Sequence, residues 1–233
     1  MNGYLRWVYA YAVRWPFGIA LAMWRYGRHV VFLRRMAEYG DPVMPPPLPR
    51  DCGEDVLGPA EGSGPIFHRR YSVWIQRSPW SPERLMTRII ADLNAAAPVE
   101  MALFDRESGR QGCLEVGDEF VVRLPGPWDG PVRVVDRTPT AFRLVTRRGH
   151  LEAGQIEFRV RQHGGYLRFE IESWARSGDR LANLLYDKIG ISREMQAHMW
   201  AHFCERVCEL AEGNLAGRIE IHTGRWTEIP GVG

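Results

Sequence analysis

Through the middle of the chain, apolar and polar side chains alternate with a period of two, the mark of antiparallel strands with one buried and one solvated face. Phe67–Gln76 reads FHRRYSVWIQ, rich in aromatic and β-branched residues. Glu119–Leu124 sets Phe120, Val122 and Leu124 on one side, Pro131–Asp136 sets Val132 and Val134 together, and Ala141–Arg147 aligns Phe142 with Leu144. The sharpest alternation is QIEFRVR at Gln155–Arg161, where Ile156, Phe158 and Val160 oppose charged neighbours. Tyr166–Trp174 follows as YLRFEIESW, with Leu167, Phe169, Ile171 and Ser173 on one side. Phe158 and Phe169 are therefore expected inward, Glu157 and Arg168 outward, and Arg168, Glu170 and Glu172 are expected to form a solvated charge ladder. Weaker strands are expected at Val99–Phe104 and Arg218–Thr223, and His163-Gly164-Gly165 suits a hairpin turn.

Helical signals flank this run. Ser81-Pro82-Glu83 is a helix start, with Ser81 as N-cap and Pro82 in the first turn. Leu85, Ile89, Ile90 and Leu93 give that helix its apolar face, and Pro98 ends it. From Gly178 the period becomes helical again; Gly190 bends it and Ser192 restarts it. Met199, Trp200, Phe203, Cys204, Val207, Leu210 and Ala211 share one face, and Gly213 closes the element.

Charge changes the picture at the N-terminus. Residues 1–37 hold six arginines, nine aromatics and no acid, in a chain whose net charge is only +2. On helical spacing Arg6, Arg14, Arg25, Arg28 and Arg35 fall in one stripe about 100° wide. Leu5, Val8, Trp15, Ile19, Met23, Tyr26, Val30 and Leu33 lie broadly opposite, and Pro16 kinks the helix. The longest uncharged stretch, Trp15 to Trp24, has ten residues, against the ~20 that a membrane span needs. No small-residue cleavage pattern follows it, so a signal peptide fits poorly. Two readings stand: a helix lying in the membrane interface, or one packed on its own domain or a second subunit. Candidate membrane contacts are Arg6, Arg14, Trp15, Trp24, Arg25 and Arg28. Between Asp41 and Pro65 seven prolines and four glycines suit an extended spacer.

Composition narrows the class. Apolar residues at 45% and charged residues at 25% describe a globular chain of 233 residues. The near-neutral balance gives no basic field for nucleic acid, and no nucleic-acid module accompanies the aromatics. Cys52, Cys113, Cys204 and Cys208 contain no CxxC pair and point to a reducing compartment.

Strand, short helical region, antiparallel sheet, long C-terminal helix: this order resembles the helix-grip fold of the START-like, SRPBCC superfamily, which includes pollen allergens, lipid-transfer domains and polyketide cyclases. Val116 to Trp200 is similar to a family of unknown function found in bacteria and plants. The residues that carry the likeness are GDEFVVRLPGPWDGPVRVVD at 117–136, RRGHLEAGQIEFRV at 147–160 and FEIESWAR at 169–176. The resemblance implies an α+β fold in which a curved antiparallel sheet wraps the C-terminal helix, and a hydrophobic ligand between them. It supplies no catalytic motif.

Other constellations are weak. His150 and Glu152 sit in a turn bounded by Gly149 and Gly154; they suit a shaped turn better than an acid–base pair. His198 and His202 are four apart beside Glu205 and Glu209 but lie opposite the apolar face, so a solvated surface is expected there rather than zinc. Cys204 and Cys208 read as core thiols. No Walker loop, dinucleotide fingerprint, EF-hand loop or Ser–His–Asp order occurs, and no metal or cofactor is expected.

The expected organisation is a basic aromatic amphipathic helix at 1–40, a Pro/Gly-rich linker at 41–66, a helix-grip domain at 67–215 and a tail at 216–233. The expected function is binding of a hydrophobic small molecule or lipid, in the cytoplasm and peripheral to the inner face of a membrane. Phe120, Val122, Phe142, Phe158, Phe169, Ile171, Met199 and Phe203 are the candidate lining. The alternatives are a cyclase- or hydrolase-like enzyme on an apolar substrate, with His150 as base, and an interaction protein that docks or dimerises through its N-terminal helix.

Overall fold

The computed structural model describes residues 33–37, 43–98, 102–123, 129–178 and 191–226. Their strands are β1 (Leu33–Ala37), β2 (Val56–Leu57), β3 (Ser63–Gln76), β4 (Leu103–Arg106), β5 (Glu119–Arg123), β6 (Asp129–Thr138), β7 (Ala141–Arg147), β8 (Glu152–His163), β9 (Tyr166–Ser177), β10 (Asn214–Leu215) and β11 (Ile219–Trp226). The helices are α1 (Pro82–Ala91), α2 (Leu93–Ala96) and α3 (Ile191–Leu210). The described strands form one sheet in the order β1-β11-β3-β9-β8-β7-β6-β5-β4, with β10 on β3 and β2 on β7. Every pairing is antiparallel except β1 on β11.

The period-two pattern sets the two faces. One row across five strands runs Phe142, Phe158, Ile171, Tyr71, Ile221. All five are buried, and they share a core with Phe203, Cys204 and Val207 of α3 and Leu85, Met86 and Ile89 of α1. Each such side chain contributes about 1.5–3 kcal/mol by leaving water. A bulge between Val134 and Asp136 buries both Val134 and Val135 and bends β6. The sheet thus wraps α3 on its concave side, the helix-grip arrangement. Phe158 and Phe169 point into it, while Glu157 and Arg168 stand on the opposite face, as the alternation requires.

Helix α1 starts as its residues dictate: Ser81 accepts a hydrogen bond from the Arg84 amide at 3.3 Å, with Pro82 in the first turn. The helix expected to run on to Pro98 breaks at Asp92, whose extended backbone ends α1 while its carboxylate caps α2. Asn94 then clamps the backbone of Phe104, donating to its carbonyl at 2.9 Å and accepting from its amide at 2.8 Å. That clamp fixes β4 at Leu103–Arg106, later than the Val99–Phe104 expected for it.

Four expectations are corrected by long-range packing. Leu33–Ala37, placed by helical phase within the N-terminal helix, is a strand parallel to Ile219–Thr223. That partner lies in the stretch taken to run from short strand into tail, and it extends the sheet to Trp226. The Pro-rich segment does not only space: Trp174 Nε1 donates to the Val43 carbonyl at 3.0 Å and Gln155 Nε2 to the Pro46 carbonyl at 2.7 Å. Further on, Arg133 and Arg147 both hold Asp55, each at 2.7 Å, and Thr146 donates to the Leu57 carbonyl at 2.6 Å. An extended proline run leaves its carbonyls open, and donors on the convex face take them.

The fourth correction concerns charge. Glu170 and Glu172, expected in solvent, are only 4% and 5% exposed. Arg159 pairs with both, Arg168 reaches Glu170 at 2.8 Å, and His68 lies 2.7 Å from Glu172. The His68 ring packs between Trp174 and Trp226, at 5.3 and 5.5 Å between centroids. Burial raises the Glu172 carboxyl, but the hydrogen bond to His68 and the Arg159 guanidinium outweigh it and hold the group at about 2.

Candidate functional site

The seam between the concave face and α3 has an aromatic floor. Phe142 stacks on Phe158 at 4.6 Å, Phe158 meets Phe203 at 5.5 Å, and Phe203 stacks on Phe169 at 5.9 Å. Trp200 closes edge-on over Phe158 at 5.5 Å. Of the candidate lining residues, Phe120, Phe142, Phe158, Phe169, Ile171 and Phe203 are brought into one cluster. Met199 instead packs with Ala102, and Val122 bridges the two groups. Arg106 lies over the Phe120 ring at 4.4 Å and covers that edge of the cluster.

At the other end the seam turns polar. The neighbouring row on the concave face runs Leu144, Ile156, Ser173, Arg69, Thr223. It is apolar on β7 and β8 and polar from β9 to β11. Arg69 is buried and donates to Gln196 Oε1 of α3 at 3.0 Å, while Gln196 Nε2 donates to Glu152 at 2.9 Å. Arg69 also lies over the Phe67 ring at 5.2 Å. Arg69 of β3, Glu152 of β8 and Gln196 of α3 are therefore linked across the seam.

Tyr71 stands at the junction. Its ring belongs to the apolar row, and its hydroxyl is wholly buried without a hydrogen-bond partner among the described residues. Burial pushes the phenol up to about 12, with the nearby Arg69 charge opposing and the Glu152 charge assisting. At neutral pH the group is a hydroxyl, able to donate and accept hydrogen bonds but not to act as a base.

This polar end escaped the sequence reading, although a signal was there. In FHRRYSVWIQ the inward row is Phe67, Arg69, Tyr71, Val73 and Ile75, so Arg69 is a charge in phase with the apolar side chains. Glu152 is likewise in phase with Ile156 and Phe158. An ionisable residue on the buried face of an alternating strand needs a partner inside.

His150, considered as a base, is engaged in its own turn. Its Nδ1 accepts from the Glu152 amide at 2.9 Å, with Gly149 at φ +96°. Burial lowers the imidazole, against the Glu152 charge. His202 lies 3.3 Å from Glu205 on α3, and the Cys204 thiol is pushed up by burial. The candidate membrane contacts Arg6, Arg14, Trp15, Trp24, Arg25 and Arg28 lie outside the described residues. Among the described residues no helix is long and apolar enough to cross a membrane.

Residues 103–206 match a family model described as a domain of unknown function, DUF1990. No curated protein matches the chain. Similar solved structures include a hypothetical protein from Helicobacter pylori, at 8% identity over 61% of this chain and 86% of that one, TM-score 0.46. Norcoclaurine synthase from Thalictrum flavum, in complex with dopamine and hydroxybenzaldehyde, is similar at 9% identity over 73% and 98%, TM-score 0.43. A conserved protein from Geobacillus kaustophilus is similar at 14% identity over 64% and 98%, TM-score 0.43. The chain thus has the helix-grip arrangement of sheet and C-terminal helix, and its residues 103–206 are similar to the DUF1990 domain of unknown function.

Proposed function

We propose that the protein binds a hydrophobic small molecule or lipid in the seam between the concave sheet and α3. The observation that carries this reading is an aromatic floor from Phe142 to Phe169 on the same concave face as the buried Arg69 and Ser173 and the half-buried pair Glu152 and Gln196. A core built only for stability gains nothing from a buried Arg69 or from a Tyr71 hydroxyl unpaired among the described residues, each of which costs desolvation. Apolar walls with a few convergent polar groups are the usual make-up of a small-molecule site. Phe120, Val122, Phe142, Phe158, Phe169, Ile171, Met199 and Phe203 are the proposed lining, and access requires α3 to move from the sheet. Mass spectrometry of organic extracts from the purified full-length protein tests the reading. A single apolar compound in near-stoichiometric amount is expected; clean extracts together with no binding of added naphthalene probes would overturn it.

The same molecule is proposed to work at the inner face of a membrane, held by the arginine- and aromatic-rich stretch at residues 1–32. Basic residues near an anionic surface contribute ~1 kcal/mol each before screening. Because β1 and the segment from Val43 to Leu57 pack on the sheet, the test keeps the chain whole. Arg6, Arg14, Arg25 and Arg28 are changed together to Gln, and co-sedimentation with anionic vesicles should fall strongly, more so in low salt. Equal sedimentation of both proteins would sink the membrane reading. A stable dimer lost in the variant, without vesicle binding by either protein, would replace it with subunit packing.

A further inference from the structure

Tyr71 has a place in the core that packing alone does not explain. Its ring occupies the central row, between Ile171 and Ile221, where a phenylalanine would fill the same space. Its neighbours Arg69 and Glu152 are joined through Gln196, and none of the three reaches the Tyr71 hydroxyl. A buried hydroxyl left without a partner is unfavourable, and the great majority of such groups in folded proteins are paired. The Tyr71 ring lies in the apolar row next to the row that holds Arg69, and the charges of Arg69 and Glu152 lie near its hydroxyl.

We infer that the ligand of the seam is an apolar molecule that ends in a hydroxyl or carbonyl oxygen, and that this oxygen is hydrogen-bonded by the Tyr71 hydroxyl. The inference rests on the proposed binding function and narrows its ligand class. The apolar body lies along Phe158 and Phe203, and the oxygen takes the partner that the closed seam withholds from Tyr71. A wholly apolar ligand of equal size leaves the hydroxyl unpaired and gains nothing from it. Discrimination of this kind is strongest where a site holds a buried hydrogen-bonding group that the wrong ligand cannot satisfy. Tyr71 is thus a specificity residue and has no chemical step to perform.

The test uses two probes of matched size, 2-naphthol and 2-methylnaphthalene, titrated against full-length wild type and Tyr71→Phe by fluorescence. Any cost of parting α3 from the sheet is common to both probes and cancels in the ratio of their dissociation constants. That ratio should shift about 2- to 10-fold against 2-naphthol in the variant, the range of one neutral hydrogen bond. Tyr71→Phe should melt at or above the wild-type temperature, because it removes an unpaired buried hydroxyl and keeps the ring. Binding of both probes with an unchanged ratio would overturn the assignment of Tyr71 and leave the seam as a purely apolar site. Failure of both probes to bind the wild type would remove the proposed function and this inference with it, and failure of 2-naphthol alone would overturn the inference and leave the function standing.

Discussion

Glu172→Gln is the most informative single perturbation of the convex face. The Glu172 side chain is 7% exposed, faces Arg159 and lies 2.7 Å from His68 Nε2. Burial alone would favour the neutral acid, yet these partners bring the group from 4.5 down to about 2. By linkage, a carboxyl held that far below its ordinary value contributes about 3 kcal/mol to folding when both states are ionised. The sign follows from the depressed value: the contribution is complete above 4.5 and is lost as pH falls through about 2. Glutamine reproduces the neutral acid, so the variant should be about 3 kcal/mol less stable than wild type at pH 7, narrowing by roughly half at pH 3. Urea unfolding of both proteins across that range reads the difference directly, and titrating groups far from Glu172 cancel. A gap under about 0.5 kcal/mol at pH 7, or one that does not narrow with acid, would refute the account of how His68 and Arg159 hold this carboxylate.

Other outcomes can be checked in the same way. Phe169→Ala should cost ~3–5 kcal/mol in unfolding free energy, because the ring is fully enclosed against Phe203; a change near zero would mean that the ring borders open space. Gly154→Ala should destabilise by ~1–3 kcal/mol, since the added methyl would lie 2.4 Å from the Trp174 carbonyl oxygen and 2.8 Å from Ala175, and a backbone contact gives way poorly; wild-type thermal stability would refute that close approach. Asp55→Asn should loosen the segment from Cys52 to Leu57, seen as faster amide exchange there with β8 and β9 unchanged; uniform protection would show that Arg133 and Arg147 do not hold it.

Much of this fold is legible in the chain because the information is local. Alternation around Phe158 and Phe169 reports which side of each strand is inward, and Ser81-Pro82 reports where α1 begins. Alternation says nothing about what covers the other side. Glu170 and Glu172 therefore read as solvated, whereas Arg159 and His68 meet them beneath neighbouring aromatic rings. The segment from Val43 to Leu57 has no periodicity of its own and is placed by Trp174, Gln155, Arg133 and Arg147, all more than 70 residues away. Leu33–Ala37 matches a helical phase by residue type, but its strand state comes from a partner at Ile219–Thr223. The polar end of the seam was readable in principle, since Arg69 and Glu152 break the apolar rows that they belong to.

The strand order has a consequence for how the molecule can be cut and made. Strand β3 lies between β9 and β11, so His68 is paired with Trp174 on one side and Gly224 on the other. Those partners follow it by about 100 and 150 residues, and contacts so distant in the chain form slowly. During synthesis β3 must wait with both edges open until β9 has emerged, and with one edge open until β11 follows, an interval in which sheet proteins are prone to aggregate. The matched segment 103–206 contains β9 but neither β3 nor β11. Excised at those bounds, it would present the twelve residues of β9 as a bare edge, with Phe169 and Ile171 beside it. The sequence-family unit is therefore shorter than the sheet it contributes to, whose central strands reach back to Ser63 and forward to Trp226.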